Sequence, residues 1–258
     1  MSQDALPGGW YEELSIEFPD GKRQTFFFNF TRSGRHVPEP RRDPAPWTNL
    51  EFHKCPGCPL TEAVCPAARS LESTLMKLHG HTSVEIVRAT AIDSSERTVE
   101  VKWPLQQVAS VFVQLAVFSG GCPIGDKMRP YVQDLRPFAT TAEMTRHMVS
   151  KMLLKHRGAV DPSLKLIRDQ MEPLHAIFTN LARRLTDQVT PDGDAIPNAI
   201  ARLDAFAYLL AMQIDQICSQ IGAELGWDAQ AAVPPASQAP SERPIKGSLW
   251  QRLRSLFA

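Results

Sequence analysis

Four of the five cysteines in this chain are each followed by proline: Cys55-Pro56, Cys58-Pro59, Cys65-Pro66 and Cys122-Pro123. Proline fixes its own φ and holds the preceding residue extended. It also suits the first position of a helix, which leaves the cysteine at the N-cap. A thiolate there meets free N–H groups and the positive end of the helix dipole, so its pKa should fall. Helices are therefore expected after Cys65 and after Cys122. Two thiolates from the Cys55–Cys58 knuckle and two from helix starts would then converge.

Cys-x2-Cys is the usual bite for one metal ion. The later spacing, to Cys65 and then to Cys122, matches no common zinc finger. A fourth ligand so remote would tie the helix after Cys65 to the end of the helix before Cys122. Cys55, Cys58, Cys65 and Cys122 are thus the candidate metal ligands, and a closed structural zinc site is the first expectation. An iron–sulfur cluster is the alternative. Its support is the four-thiolate inventory and a Cys-Pro pair like the one ending the bacterial ferredoxin run, although that run itself is absent. Free thiols, or a Cys55–Cys58 redox pair, form the third reading. His53 beside the knuckle reads as a surface residue rather than a ligand. Cys218 lacks the proline and falls within the apolar spacing of the last helix, so it reads as a buried small hydrophobe.

The hydrophobic pattern sets an α+β fold. Leu14, Ile16 and Phe18 alternate with Ser15 and Glu17, Pro19-Asp20-Gly21-Lys22 supplies a turn, and RQTFFFNF follows: a β-hairpin. Residues 33–46, rich in Pro and Gly and holding Arg41 and Arg42, read as an extended connector. An apolar stripe predicts a helix over 66–79, strands over 83–92 and 97–103, and a strongly apolar helix over 105–118. From about residue 140 the character is helical. Thr140, Thr141 and Glu143 resemble a start signal for a helix to about 157. Asp161-Pro162 opens another to about Asp187, with Pro173 as a kink, and a long helix covers about 196–226. The expectation is an N-terminal hairpin and an α-β-β-α cysteine region (1–139) packed on a C-terminal helical region (140–228).

The cysteine motifs also carry a resemblance. Trp47-x2-Leu50-x-Phe52-x2-Cys55-Pro56-x-Cys58-Pro59-Leu60, Cys65-Pro66-Ala67 and Ser119-Gly120-Gly121-Cys122-Pro123 look like an uncharacterised bacterial domain-of-unknown-function family. Arg136-Pro137-Phe138-Ala139 with Glu143, and Asn198-Ala199 with Leu203-Asp204, resemble it too. The resemblance spans roughly 10–225. It implies a shared fold and site and supplies no reaction.

Lys plus Arg, 28, balance Asp plus Glu, 28, which excludes a generally basic nucleic-acid binder. No long uninterrupted apolar run exists, and the N-terminal MSQDALPGGWYEE has no basic start followed by an apolar stretch. A cytoplasmic protein is expected. Gly-x-Ser-x-Gly, Gly-x4-Gly-Lys-Ser/Thr, Gly-x-Gly-x2-Gly and His-Glu-x2-His are all missing, so a non-enzymatic role is expected. His79 and His81 read as helix-end residues. Arg129, Asp134, Arg136 and Arg146 read as ion pairs docking the helical back.

Residues 229–246 read as a flexible Pro/Ala/Ser linker. In the segment 247–258, Leu249, Trp250, Leu253, Leu256 and Phe257 share one helical face, with Arg252 and Arg254 off it. A helix this short is unstable alone and needs a surface to lie on. A protein groove is the first expectation, and an anionic membrane surface, at the inner face of the membrane, is the second. The sequence thus describes a metal-binding interaction or regulatory module recruited by its tail; the alternative is a redox or electron-transfer protein.

Overall fold

The computed structural model describes residues 11–31, 34–37, 43–93, 95–155, 160–186 and 193–224. Its sheet has two hairpins. In the first, β1 (Tyr11–Glu17) pairs antiparallel with β2 (Arg23–Phe27). The second appears later in the chain as β5 (Ile86–Asp93) and β6 (Thr98–Pro104). Each hairpin has one apolar face, which cannot be buried alone. They join through β1 and β5 into one antiparallel sheet of order β2-β1-β5-β6. Leu14, Ile16, Phe26, Val87, Ala89 and Ala91 point from it into the core.

Between the hairpins, Asn29–Phe30 (β3) and His36–Val37 (β4) form a short second ladder. The expected connector is therefore partly a hairpin. Its His36 N–H donates to the Ser119 carbonyl at 2.8 Å, fastening it to the end of a distant helix. Arg41 and Arg42 lie outside the described residues.

Helix α1 (Pro66–Lys77) and helix α2 (Leu105–Phe118) cover the apolar side of the sheet. In α2, 11 of 14 residues are buried, as expected of a helix that is apolar all round. It is enclosed by the sheet and α1 on one side and by the last helix on the other. The back consists of α4 (Thr141–Lys155), α5 (Val160–Thr186) and α6 (Ala195–Glu224), preceded by the four-residue α3 (Arg129–Val132). α5 and α6 pack along each other, and α6 packs on α2. One continuous core runs from Leu14 through Phe112 to Ile214 and Cys218.

The helix expected directly after Cys122 is replaced by a 3-10 turn, Gly125–Lys127, and then α3. Pro130 is the reason. It has no N–H to give the Asp126 carbonyl, so a continuous helix cannot run through it.

Candidate functional site

The loop that carries the first two cysteines hangs from a closed base. Leu50 N–H donates to Ala63 O at 2.9 Å and Cys65 N–H to Thr48 O at 2.7 Å. Asn49 and Val64 form an isolated bridge between them. Within the loop, Cys58 N–H donates to Cys55 O at 3.1 Å across Pro56-Gly57, and Gly57 takes φ +71°, a conformation that L side chains rarely adopt. The knuckle is thus a tight backbone turn whose two cysteines line the same cavity.

Cys65 is the N-cap of α1, with Pro66 in its first turn, as expected from the Cys-Pro pair. Its side chain makes no capping bond, so the sulfur stays available to the interior. Cys122 follows the Gly120-Gly121 turn at the end of α2. The N–H groups of Ile124 and Gly125 donate toward its sulfur. This turn needs glycine at 125: a Cβ there would stand 1.9 Å from the Val117 carbonyl oxygen.

All four side chains line one cavity, together with Leu60, Ile124, Ile177, Leu181 and Arg184. Cysteines 67 residues apart in sequence, from Cys55 to Cys122, therefore border one cavity at the junction of the knuckle, two helix-end turns and α5. Burial pushes the Cys55 thiol up to about 12, with Cys122, Cys65 and Cys58 adding to the rise and Arg184 opposing it. Burial likewise raises Cys122 to about 11, against the pull of the two N–H donors. The lowering expected from a helix start is corrected for Cys122: desolvation outweighs it. At neutral pH, with no cation between them, both are protonated thiols, and Cys55 Sγ sits 3.9 Å from the Ala176 carbonyl of α5. Neutral thiols have little to draw them together. Among the described residues, no group of three or more His, Cys, Asp or Glu side chains stands ready to hold a metal ion. The sulfurs border a shared cavity without closing on a point.

Arg184 is the residue that the sequence reading missed. It is 1% exposed. Its Nη1 donates to the carbonyls of Trp47 (2.9 Å) and Asn49, and its Nη2 to those of Leu50 (2.9 Å) and His53 (3.4 Å). One guanidinium on α5 thus grips four carbonyls at the root of the cysteine loop. Among the described residues it makes no ion pair with a carboxylate. A signal existed: Arg184 lies three residues after Leu181, on the apolar stripe of α5, whereas its neighbour Arg183 is exposed.

His53 is exposed, does not line the cavity, and stacks edge-on against Phe52. His81 stacks on Phe18 at 3.7 Å and pairs with Glu85. The arginine cluster resolves into separate pairs: Arg129–Asp126, Arg136–Glu143, Arg146–Glu224 and Lys151–Asp134. Cys218 is buried on α6. The tail residues Leu249, Trp250, Arg252, Leu253, Arg254, Leu256 and Phe257, and the 229–246 linker, lie outside the described residues. Among the described residues, no helix is long and apolar enough to cross a membrane.

A family model for a domain of unknown function, DUF6901, matches residues 13–224. The chain belongs to the DUF6901 family. The match runs from β1 to the end of α6, so the cysteine cavity and Arg184 are interior to the DUF6901 domain, and the tail is outside it. No curated protein and no solved structure matches the chain.

Proposed function

We propose that this DUF6901 protein is a metal-stapled interaction or regulatory module of the cytoplasm, with zinc held by Cys55, Cys58, Cys65 and Cys122. The observation that carries this reading is that the four cysteines line one cavity beside a buried guanidinium. Four thiolates are the donor set of closed structural zinc sites, and the ion would supply the charge that lets buried thiols deprotonate and turn inward. Zinc with four thiolates carries about two net negative charges. Arg184 and the N–H groups of Ile124 and Gly125 supply positive potential on the walls. The site would lock the knuckle and the Gly120–Gly125 turn onto α5, which is a structural rather than a catalytic role.

Recruitment belongs to the tail. The linker of 229–246 would let the amphipathic 247–258 segment hold the folded body near a protein partner, raising its local concentration.

Two experiments test the reading. Elemental analysis of the full chain, purified without oxygen, is expected to give about one zinc per chain. Iron and sulfide with a brown colour would instead establish the iron–sulfur alternative, with an electron-transfer role. For the tail, Trp250→Ala with Leu253→Ala is expected to abolish partner pull-down with an unchanged melting temperature. Unaltered capture, or loss of binding only to anionic vesicles, would overturn a protein groove as the target.

A further inference from the structure

A second cleft lies away from the cysteines, between α2, α6 and the loop that leads into α4. It is a small cleft that opens to solvent. Arg202 of α6 is half-buried in its wall. It reaches only Ser110 Oγ, at 3.4 Å, and makes no ion pair among the described residues. A desolvated guanidinium without a counter-charge is costly, and a carboxylate is the group its planar fork fits best. Gln107 and Gln114 of α2 add amide groups to the same wall. Arg136, at the rim, is already committed to Glu143. The cleft therefore offers one uncompensated positive charge, which suits a monoanion better than a phosphate dianion.

Behind the charged mouth the cleft turns apolar. A narrow apolar slot shares Met144, Leu203 and Phe206 with the first and continues to Met148 and Phe178; a guest would have to widen it. Methionine side chains rearrange easily, so this slot can adapt to a guest. The lip is held in an unusual backbone: Asp134 and Phe138 take φ +66° and +56°. Phe138 is buried and packs edge-on against Trp103 at 6.2 Å. A bulky residue in the left-handed region is strained, and such strain gathers at ligand clamps.

We infer that this cleft binds a small organic monocarboxylate, its carboxylate on Arg202 and its short apolar tail in the slot between Met144 and Phe206. The site shares no wall residue with the cysteine cavity, so it stands or falls independently of the metal reading.

Methionine-methyl NMR of the full chain tests it, with hexanoate, 1-hexanol and inorganic phosphate as probes. Hexanoate is expected to shift the Met144 and Met148 methyl signals saturably below about 10 mM, at least about tenfold tighter than 1-hexanol. Arg202→Gln is expected to weaken hexanoate by about tenfold or more and leave 1-hexanol unchanged. Should that variant fail to fold, Gln114→Glu places a negative charge on the same wall and is expected to weaken hexanoate selectively. Four results would overturn the inference: equal binding of hexanoate and 1-hexanol, displacement of hexanoate by phosphate at equal concentration, no saturable shift, or hexanoate binding that both substitutions leave unaltered.

Discussion

Arg184 shows how one side chain can fix a loop that has little regular structure of its own. Four carbonyls of residues 47–53 converge on its guanidinium inside the core. Removing it leaves those carbonyls without their donor, so Arg184→Ala is expected to cost about 2–4 kcal/mol in urea unfolding. Arg184→Lys should recover only part of this, because one ammonium cannot span both pairs. Full recovery by lysine would show that charge, rather than the fork, matters. His36 gives a pH test. Its Nδ1 lies 2.7 Å from Ser70 Oγ, and burial lowers its pKa to about 4, below the ordinary 6.5. As pH falls below the unfolded value, the unfolded chain takes up a proton that the folded chain refuses. Stability should therefore drop between about pH 6.5 and 4, by up to about 3 kcal/mol, and His36→Gln should flatten that slope. An unchanged pH dependence of the melting temperature in the variant would contradict it. The apolar stripe of α5 separates Arg184 from Arg183, but nothing local marks the four carbonyls it binds, and His36 sits in a stretch whose ladder is only two residues long.

At the scale of elements, regular pieces with strong periodicity or end signals were the legible ones. Helix α2 spans Leu105–Phe118 as the apolar run suggested, and α1 starts at Pro66 behind Cys65. The Thr140–Glu143 signal is a capping box. Thr140 Oγ1 accepts from Glu143 N–H at 3.3 Å, and Glu143 Oε2 accepts from Thr140 N–H at 2.8 Å. Thr140→Ala is expected to destabilise α4 by about 1 kcal/mol, read as a shifted urea midpoint. No shift would mean that the Arg136–Glu143 pair alone secures this end. What local pattern could not supply was the junction between pieces. The β1–β5 pairing joins strands more than 70 residues apart, and the turn after Cys122 is shaped by contact with α2. At that contact Gly125→Ala would drive a Cβ into the Val117 carbonyl, costing about 1–3 kcal/mol and displacing the N–H donors to Cys122. The loss should exceed that of Gly57→Ala only if the core contact outweighs the left-handed φ of the knuckle, which a side-by-side melting comparison decides.

Over the whole molecule, the sheet with α1 and the back helices enclose α2, and the cysteine cavity lies where the loops of the front meet α5 of the back. The Cys-Pro quartet singled out the four cysteines that line this cavity. That they share it rests on the long-range closure of residues 48–65 and on Arg184, which no spacing rule encodes. A shared ion would cross-link segments far apart in the chain, where loop closure is entropically costly, so its removal should loosen front from back rather than unfold one hairpin. The most direct measurement is metal content alongside stability for the full chain and its Cys122→Ser variant. About one zinc per parent chain is expected, with loss of that zinc and a lower melting temperature in the variant. Zinc retained at full stoichiometry without the Cys122 sulfur, or a parent chain that is metal-free and equally stable with added zinc or chelator, would contradict it.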